Sequence, residues 1–252
     1  MLLHPTLEKL DQLRFTGMLK ALEQQTNNPD IDGLAFEERL GLLVDREIEE
    51  RERRRLERRI KQARFRQQAS MQDLDLRAPR GLDKALMASL GECSWIRQHM
   101  NVIITGPTGV GKSYLATALA HKACLVGHSV LYQRLSRLLD ELRIARADGS
   151  HGKELLKLSK IQVLVLDDWG LVKMTPETQR DLLEVLDDRH AKESTIVTSQ
   201  LPIDEWHAAM PDPTIADAIL DRLIHNAYRI DLRGESMRKR GAILLETGHK
   251  EK

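Results

Sequence analysis

Leucines recur at helical spacing near the start of the chain. Leu7, Leu10, Leu13, Leu19 and Leu22 predict a helix over residues 6–25. Asn27-Asn28-Pro29-Asp30 then breaks it, because proline lacks the N–H a helix needs and crowds the preceding turn. A second helix is expected from about Phe36 to Gln68, where Leu40, Val44, Ile48, Leu56 and Ile60 follow a four-residue step. Residues 1–68 therefore read as a small all-helical domain. Residues 70–100 are less periodic. Pro79 and Gly81 punctuate them and a helix is expected over Leu82–Leu90, so this stretch reads as a linker followed by the first helix of the next domain.

From Asn101 the pattern changes. Short strand-like runs at Val102–Thr105, Ser129–Tyr132, Val163–Leu166 and Thr195–Thr198 alternate with helical segments at Gly111–Val126, Leu135–Arg146, Leu155–Leu158 and Glu177–His190. The central runs are apolar at successive positions, the pattern of strands buried on both faces. Such βαβ repetition predicts an α/β domain with a central parallel sheet flanked by helices. We place that domain at 69–245, with 246–252 as a C-terminal tail.

The 252 residues suit one full domain plus a smaller appendage. Hydrophobic content of 41% is enough for a sizeable core, and 31% charged with 4% aromatic residues suits a helix-rich soluble protein. The net charge of +1 gives no global field, so local clusters matter more. Cys93 and Cys124 make no disulfide framework, which points to a reducing cytoplasm. No run of about 18 apolar residues predicts a membrane span. No basic segment followed by an apolar stretch predicts a signal peptide.

The strongest chemical signal is Gly106-Pro107-Thr108-Gly109-Val110-Gly111-Lys112-Ser113, set between an expected strand and an expected helix. This is a P-loop: its glycines let backbone N–H groups curl toward phosphate oxygens, and the helix N-terminus adds positive potential. Lys112 is expected on the β- and γ-phosphates, the Ser113 hydroxyl on Mg²⁺, and Tyr114 completes the ATP-binding set. The run Val163-Leu164-Val165-Leu166 ends in Asp167 and Asp168, at the strand edge where ligands bind in open α/β sheets. Asp167 is the expected Mg²⁺ carboxylate and Asp168 the group that polarises the attacking water. Thr198-Ser199-Gln200 ends the last strand run, where a polar side chain could meet the γ-phosphate or the water, or simply mark a strand exit. Arg222, in Ile219-Leu220-Asp221-Arg222-Leu223, is either a solvated helix residue or a cation for a neighbouring subunit's phosphate. Gly234-Glu235-Ser236-Met237-Arg238, with Lys239 and Arg240, reads from its residues as a basic tail. His121, His128 and His225 lack metal-ligand spacing.

These five segments in this order resemble the IstB/DnaC family of AAA+ ATPases over roughly residues 70–240. The N-terminal helical region and the length favour the IstB branch, helpers of insertion-sequence transposition, over the helicase-loading DnaC branch. The resemblance implies an AAA+ fold of the initiator type with a reduced or absent C-terminal lid. It implies ATP-dependent homo-oligomers around duplex DNA, with the ATP site between subunits, and a partner transposase encoded by the same element. It makes Asp167 and Asp168 the Walker B pair, Gln200 the sensor, Arg222 the finger acting on a neighbour's ATP, and Arg238 the arginine of a Gly-x-Ser-x-Arg signature. Two positions depart from the broad AAA+ pattern: Asp168 stands where glutamate is commoner, and Gln200 where asparagine is.

Initiator-type relatives carry a helical insertion after the second strand, and residues 134–160 fit that place. Arg134, Arg137, Arg143, Arg146 and Lys153, with Lys157 and Lys160, are the expected DNA contacts, reading phosphates rather than bases. Interleaved Asp140, Glu141, Asp148 and Glu154 leave an ordinary solvated helix open. For the arginine-rich stretch at 51–66, a DNA surface, partner binding and intrahelical pairing with Glu49, Glu50, Glu52 and Glu57 all remain open. Two other functions stay in view: a replicative helicase loader, and a nucleotide-dependent scaffold without productive hydrolysis.

Overall fold

A computed structural model describes residues 3–28, 31 and 33–237. Arg238, Lys239, Arg240 and the segment 246–252 lie outside the described residues. The chain divides into two compact units, residues 1–58 and 59–252.

In the first unit the leucine-periodic segment forms two helices, α1 (Leu3–Gln12) and α2 (Thr16–Thr26), rather than one. Arg14 adopts φ 59°; its N–H donates to Asp11 O at 2.8 Å and that of Phe15 to Leu10 O at 2.8 Å. This paired-bond helix stop is usually built on glycine, so an arginine there gives the sequence no sign of it. The helix α3 (Phe36–Ala63) begins in this unit. Its buried Glu47 accepts the N–H groups of Gly17 (2.7 Å) and Met18 (3.2 Å), satisfying two orphan donors of α2's first turn. Along α3, Glu50 receives both Arg53 and Arg54, and Arg53 also reaches Glu57. The guanidinium of Arg53 beside it is the main influence holding the Glu50 carboxyl at about 2. Intrahelical pairing thus accounts for these two arginines. The helix ends at Ala63, five residues before the expected Gln68, because Arg64 turns to φ 56°.

In the second unit, α4 (Lys84–Gly91) starts where the Asp83 carboxylate accepts the Ala85 N–H at 2.8 Å, and a single turn, α5 (Ser94–Arg97), follows. The α/β alternation then runs β1 (Asn101–Thr105), α6 (Lys112–Leu125), β2 (Val130–Arg134), α7 (Leu135–Ala147), α8 (His151–Ser159), β3 (Val163–Trp169), α9 (Pro176–Arg189), β4 (Ser194–Ser199), α10 (Pro213–Ile224) and β5 (Ala227–Asp231). The strands form one parallel sheet in the order β2-β3-β4-β1-β5. The edge strand β5 escapes sequence reading because only Ile230 in it is buried, so it lacks an apolar run.

Ile103, Leu164, Leu166 and Val197 pack with Leu135, Leu138, Leu158, Leu182, Leu186, Ile219 and Leu223 from α7–α10. The alternate strand residues Val102, Ile104, Val163, Val165 and Ile196 are equally buried, and α6 meets β1 through β4. Trp169 stacks on Trp206 at 4.9 Å between ring centroids. Both cysteines are free and buried, and burial raises their pKa, to about 11 for Cys124, so neither is a reactive thiolate. No helix among the described residues is long and apolar enough to cross a membrane.

Candidate functional site

The loop after β1 turns sharply into α6. Gly106 and Gly111 take φ 139° and 101°, outside the range open to most residues. A Cβ on Gly106 would collide with the Leu232 carbonyl, and one on Gly111 would lie 2.6 Å from Arg80 Nη1. The Lys112 ammonium, on a residue only 7% exposed, donates to Gly106 O and Pro107 O at 2.7 Å each. The loop is held from outside as well: Arg80 Nη1 donates to Val110 O at 3.2 Å, and the Met237 N–H to Gly109 O at 2.9 Å.

Ser113 Oγ donates to Asp167 Oδ1 at 2.8 Å, which joins the loop to the end of β3. The same buried carboxylate accepts Thr198 Oγ1 at 2.5 Å on Oδ1 and the Tyr132 hydroxyl at 2.5 Å on Oδ2. Consecutive strand residues normally point to opposite faces, yet Asp168 also reaches the cleft. The cause is a bulge: Leu166 pairs with Val197 and Trp169 with Ser199, so two aspartates stand opposite one threonine. Asp168 takes φ 64°, and its N–H donates to Thr198 Oγ1 at 3.2 Å. Burial, and then the neighbouring Asp167 charge, push the Asp168 carboxyl above the ordinary aspartate range. Arg134, Lys112 and Arg66 pull it partly back. Arg134 Nε lies 3.2 Å from Asp168 Oδ2.

Lys112, Ser113, Asp168 and Arg134 line a cleft of about 570 Å³, with Tyr114, Gln200, Arg80, Asp73, Asp75 and Met237 on its walls. Gln200 Oε1 accepts Thr108 Oγ1 at 2.7 Å, so the β4 exit touches the P-loop. Three participants carried no sequence signal of their own. Tyr132 lies within an ordinary strand run, and Thr198 stands out in the sequence only as part of its segment. Arg80 follows Pro79 in the irregular linker yet is 94% buried, with burial lowering its pKa; the Pro-Arg-Gly punctuation there is the trace that could have marked it.

Arg222 stands apart. Asn101 Nδ2, at the start of β1, donates to Arg222 O at 3.0 Å and Leu223 O at 3.2 Å, whereas the P-loop follows the other end of β1. The Arg222 guanidinium is held by Asp187 at 2.5 Å and by Ala218 O at 3.3 Å. The expected DNA side chains are scattered. Arg134 lies in the cleft beside the P-loop instead of on the insertion, because β2 extends two residues further than the sequence suggests and carries it to Asp168. Arg146 is engaged with buried Asp181; Arg137 and Arg143 pair with Glu141 (3.0 Å) and Asp140 (3.2 Å) along α7. Lys153 is exposed on α8, and Lys157 pairs with Glu154 at 2.7 Å.

Tyr132→Phe tests the support of Asp167. It removes one donor and leaves a buried carboxylate oxygen unsatisfied. If Asp167 holds Mg²⁺ as the sequence leads one to expect, nucleotide affinity titrated against Mg²⁺ should then need roughly 10–100-fold more metal, the usual cost of losing a ligand's supporting bond, with metal-free binding little changed. An unaltered Mg²⁺ titration would rule the support out.

The family model described as "IstB-like ATP binding protein" matches residues 8–244. Over 239 residues the chain is 50% identical to y4pL of Sinorhizobium fredii (strain NBRC 101917 / NGR234), described as an insertion sequence ATP-binding protein; the match covers 95% of this chain and 98% of that one. An ATP-binding protein of insertion sequence IS1162 from Pseudomonas fluorescens is 50% identical over 214 residues, covering 84% of this chain and 93% of that one. Among solved structures, a crystal structure of DnaI superposes with a TM-score of 0.57 at 23% identity, covering 66% of this chain and 92% of that one. AMPPCP-bound DnaA from Aquifex aeolicus superposes with a TM-score of 0.56 at 15% identity, covering 73% and 56%. At those identities the two structures speak to the fold alone.

Proposed function

The chain belongs to the IstB-like ATP-binding protein family, and from that premise we propose that it is an Mg²⁺-dependent ATPase that assembles on duplex DNA and assists the transposase of its own insertion sequence. The observation that carries the ATPase reading is the Ser113–Asp167 contact at 2.8 Å beneath the P-loop. A hydroxyl and a carboxylate are hard oxygen donors and fit Mg²⁺. Bound there, the metal would neutralise charge on the phosphates as the bond breaks.

The rest is the work of the protein's own groups. The N–H groups of residues 106–113 bind phosphate oxygens, and Lys112 adds its charge beside them. Asp168, turned into the cleft by the bulge, accepts a proton from water. The water oxygen forms a bond to the γ-phosphorus, and the bond from that phosphorus to the β,γ-bridging oxygen breaks, giving ADP and phosphate. Gln200, against Thr108, positions the water. Arg222 completes the site of a neighbouring subunit. Arg238 is proposed as a further ATP contact, and Arg137, Arg143, Arg146 and Lys153 as DNA contacts, with Arg134 shared with the cleft. The division into a helical domain at 1–68, an ATPase domain at 69–245 and a tail at 246–252 belongs to the same reading, as does a cytoplasmic location.

Insertion-sequence relatives at 50% identity favour transposition over helicase loading. Capture of a replicative helicase, and not of the element's transposase, would reverse that choice. Steady-state ATP turnover with and without duplex DNA separates an enzyme from a nucleotide-dependent scaffold.

Mixing two inactive variants tests the shared site. Arg222→Ala should bind ATP but lose turnover by roughly a thousandfold or more, the range for an arginine finger. Mixed with Asp168→Asn, it should regain activity, because some interfaces then join an intact Asp168 to an intact Arg222. Two inactive variants that stay inactive on mixing would remove Arg222 from the neighbour's site.

A further inference from the structure

Beside the nucleotide cleft lies a second pocket, of about 280 Å³, lined by Arg64, Arg66, Arg134, Ser136, Arg137 and the Tyr132 ring among others. Its floor is anchored. Phe65, between two of the arginines, packs edge-on against Tyr132 at 6.5 Å and His121 at 6.2 Å between ring centroids. Tyr132 is in turn bonded to Asp167. The left-handed turn at Arg64 ends α3 there, so the chain leaves the helix with Arg64 and Arg66 flanking a fixed aromatic residue. Ser136 and Arg137 of the pocket's lining belong to the first turn of α7, a 13-residue helix whose first-turn amides add positive potential.

The charges do not balance. Glu141 accepts from Arg137 at 3.0 Å and lies 3.9 Å from Arg64, and Asp168 lies 3.2 Å from Arg134. Two carboxylates therefore face four guanidinium groups. Arg66 is exposed and has no carboxylate within ion-pair distance among the described residues, although Asp168 is near enough to feel its charge. Forked guanidinium donors with a net positive excess suit a phosphate group.

We infer that this pocket takes a backbone phosphate of duplex DNA, and that Arg134 stands in both this pocket and the nucleotide cleft. The inference rests on the proposed DNA binding and adds Arg64, Arg66 and Ser136 to it. The pocket is half the volume of the nucleotide cleft, and the one ring in its wall is already engaged by Phe65, which favours a phosphate of a polymer over a second nucleotide. A phosphate here competes with Asp168 for Arg134, so DNA and the hydrolytic carboxylate draw on one guanidinium.

The test uses the full-length chain with ATP and a short blunt duplex, with affinity measured across a series of salt concentrations. For Arg64→Gln/Arg66→Gln, the slope of log affinity against log salt should fall by about 0.9 per subunit, the loss of one phosphate contact. Arg64→Lys/Arg66→Lys, which keeps the charge, should retain the wild-type slope. If the glutamine double variant melts early, exposed Arg66→Gln alone should still lower the slope. An unchanged slope in glutamine variants that fold overturns the pocket and leaves DNA binding standing. A wild-type chain that binds no duplex overturns both. Inorganic phosphate at matched ionic strength is the remaining arm. Should it bind the wild type but not the glutamine variant and yet leave duplex affinity unchanged, the pocket takes free phosphate and the assignment to DNA fails; displacement of the duplex from the wild type alone supports the assignment.

Discussion

Lys112→Ala is expected to abolish nucleotide binding and, with it, nucleotide-dependent oligomers. The ammonium sits against the carbonyls of Gly106 and Pro107, inside a loop whose N–H groups turn toward the same space. Phosphate brought there without the lysine would meet those carbonyl dipoles with no full positive charge to offset its own. Removing one member of a buried, hydrogen-bonded charge pair costs about 2–5 kcal/mol, roughly 30-fold to several thousandfold in affinity. The alanine should not disturb the fold, because it is a strong helix former at the first position of α6. Calorimetric titration with ATP measures the first loss and sedimentation with and without ATP the second. A Lys112→Ala chain that still forms oligomers only with ATP would overturn the proposed link between the phosphate loop and assembly.

Asp168→Asn is expected to separate binding from hydrolysis. Asparagine is among the few residues that tolerate the left-handed conformation that Asp168 occupies, so the bulge should survive. Its amide cannot accept the proton from water. Turnover should fall by roughly 10²–10⁴-fold, the usual contribution of a positioned acid or base. ATP affinity and ATP-driven assembly should persist, since Asp167, Ser113 and Lys112 are untouched. Single-turnover measurement on preassembled protein isolates the chemical step. Turnover within a few-fold of wild type would assign proton removal elsewhere.

Much of the fold was legible because the sheet is buried on both faces. Runs such as Val163–Leu166 need no partner to be read as strands, and the starts of β1, β3 and β4 lie within a residue of expectation. The P-loop was legible because glycine, lysine and serine at fixed spacing are demanded by one loop shape. What escaped reading depends on tertiary context. Arg14 and Arg64 end helices in a conformation that glycine would have advertised. β5 is an edge strand with one buried side chain. Tyr132 looks like a core aromatic until its hydroxyl is seen on Asp167, and Arg80 like a linker cation until its guanidinium is seen on Val110 O. Arg134 reads from the sequence as part of a basic insertion because an apolar run does not mark where its strand ends; two further residues of β2 carry it to another site. Even the paired aspartates were legible only as residues. Their shared orientation comes from a bulge that pairing with β4 creates.

The Asn101 amide fixes Arg222 at one end of β1, while the phosphate loop leaves the other. Each subunit with Arg222 acting on its neighbour then has a donor end and an acceptor end, and copies add head to tail. An open chain of such copies always has one fewer complete hydrolytic site than it has subunits, whereas a closed ring has as many sites as subunits. Turnover per subunit would therefore climb toward a plateau as open chains lengthen and stay constant for rings. Trace amounts of Arg222→Ala, which can accept but not donate, would each silence one site without stopping growth.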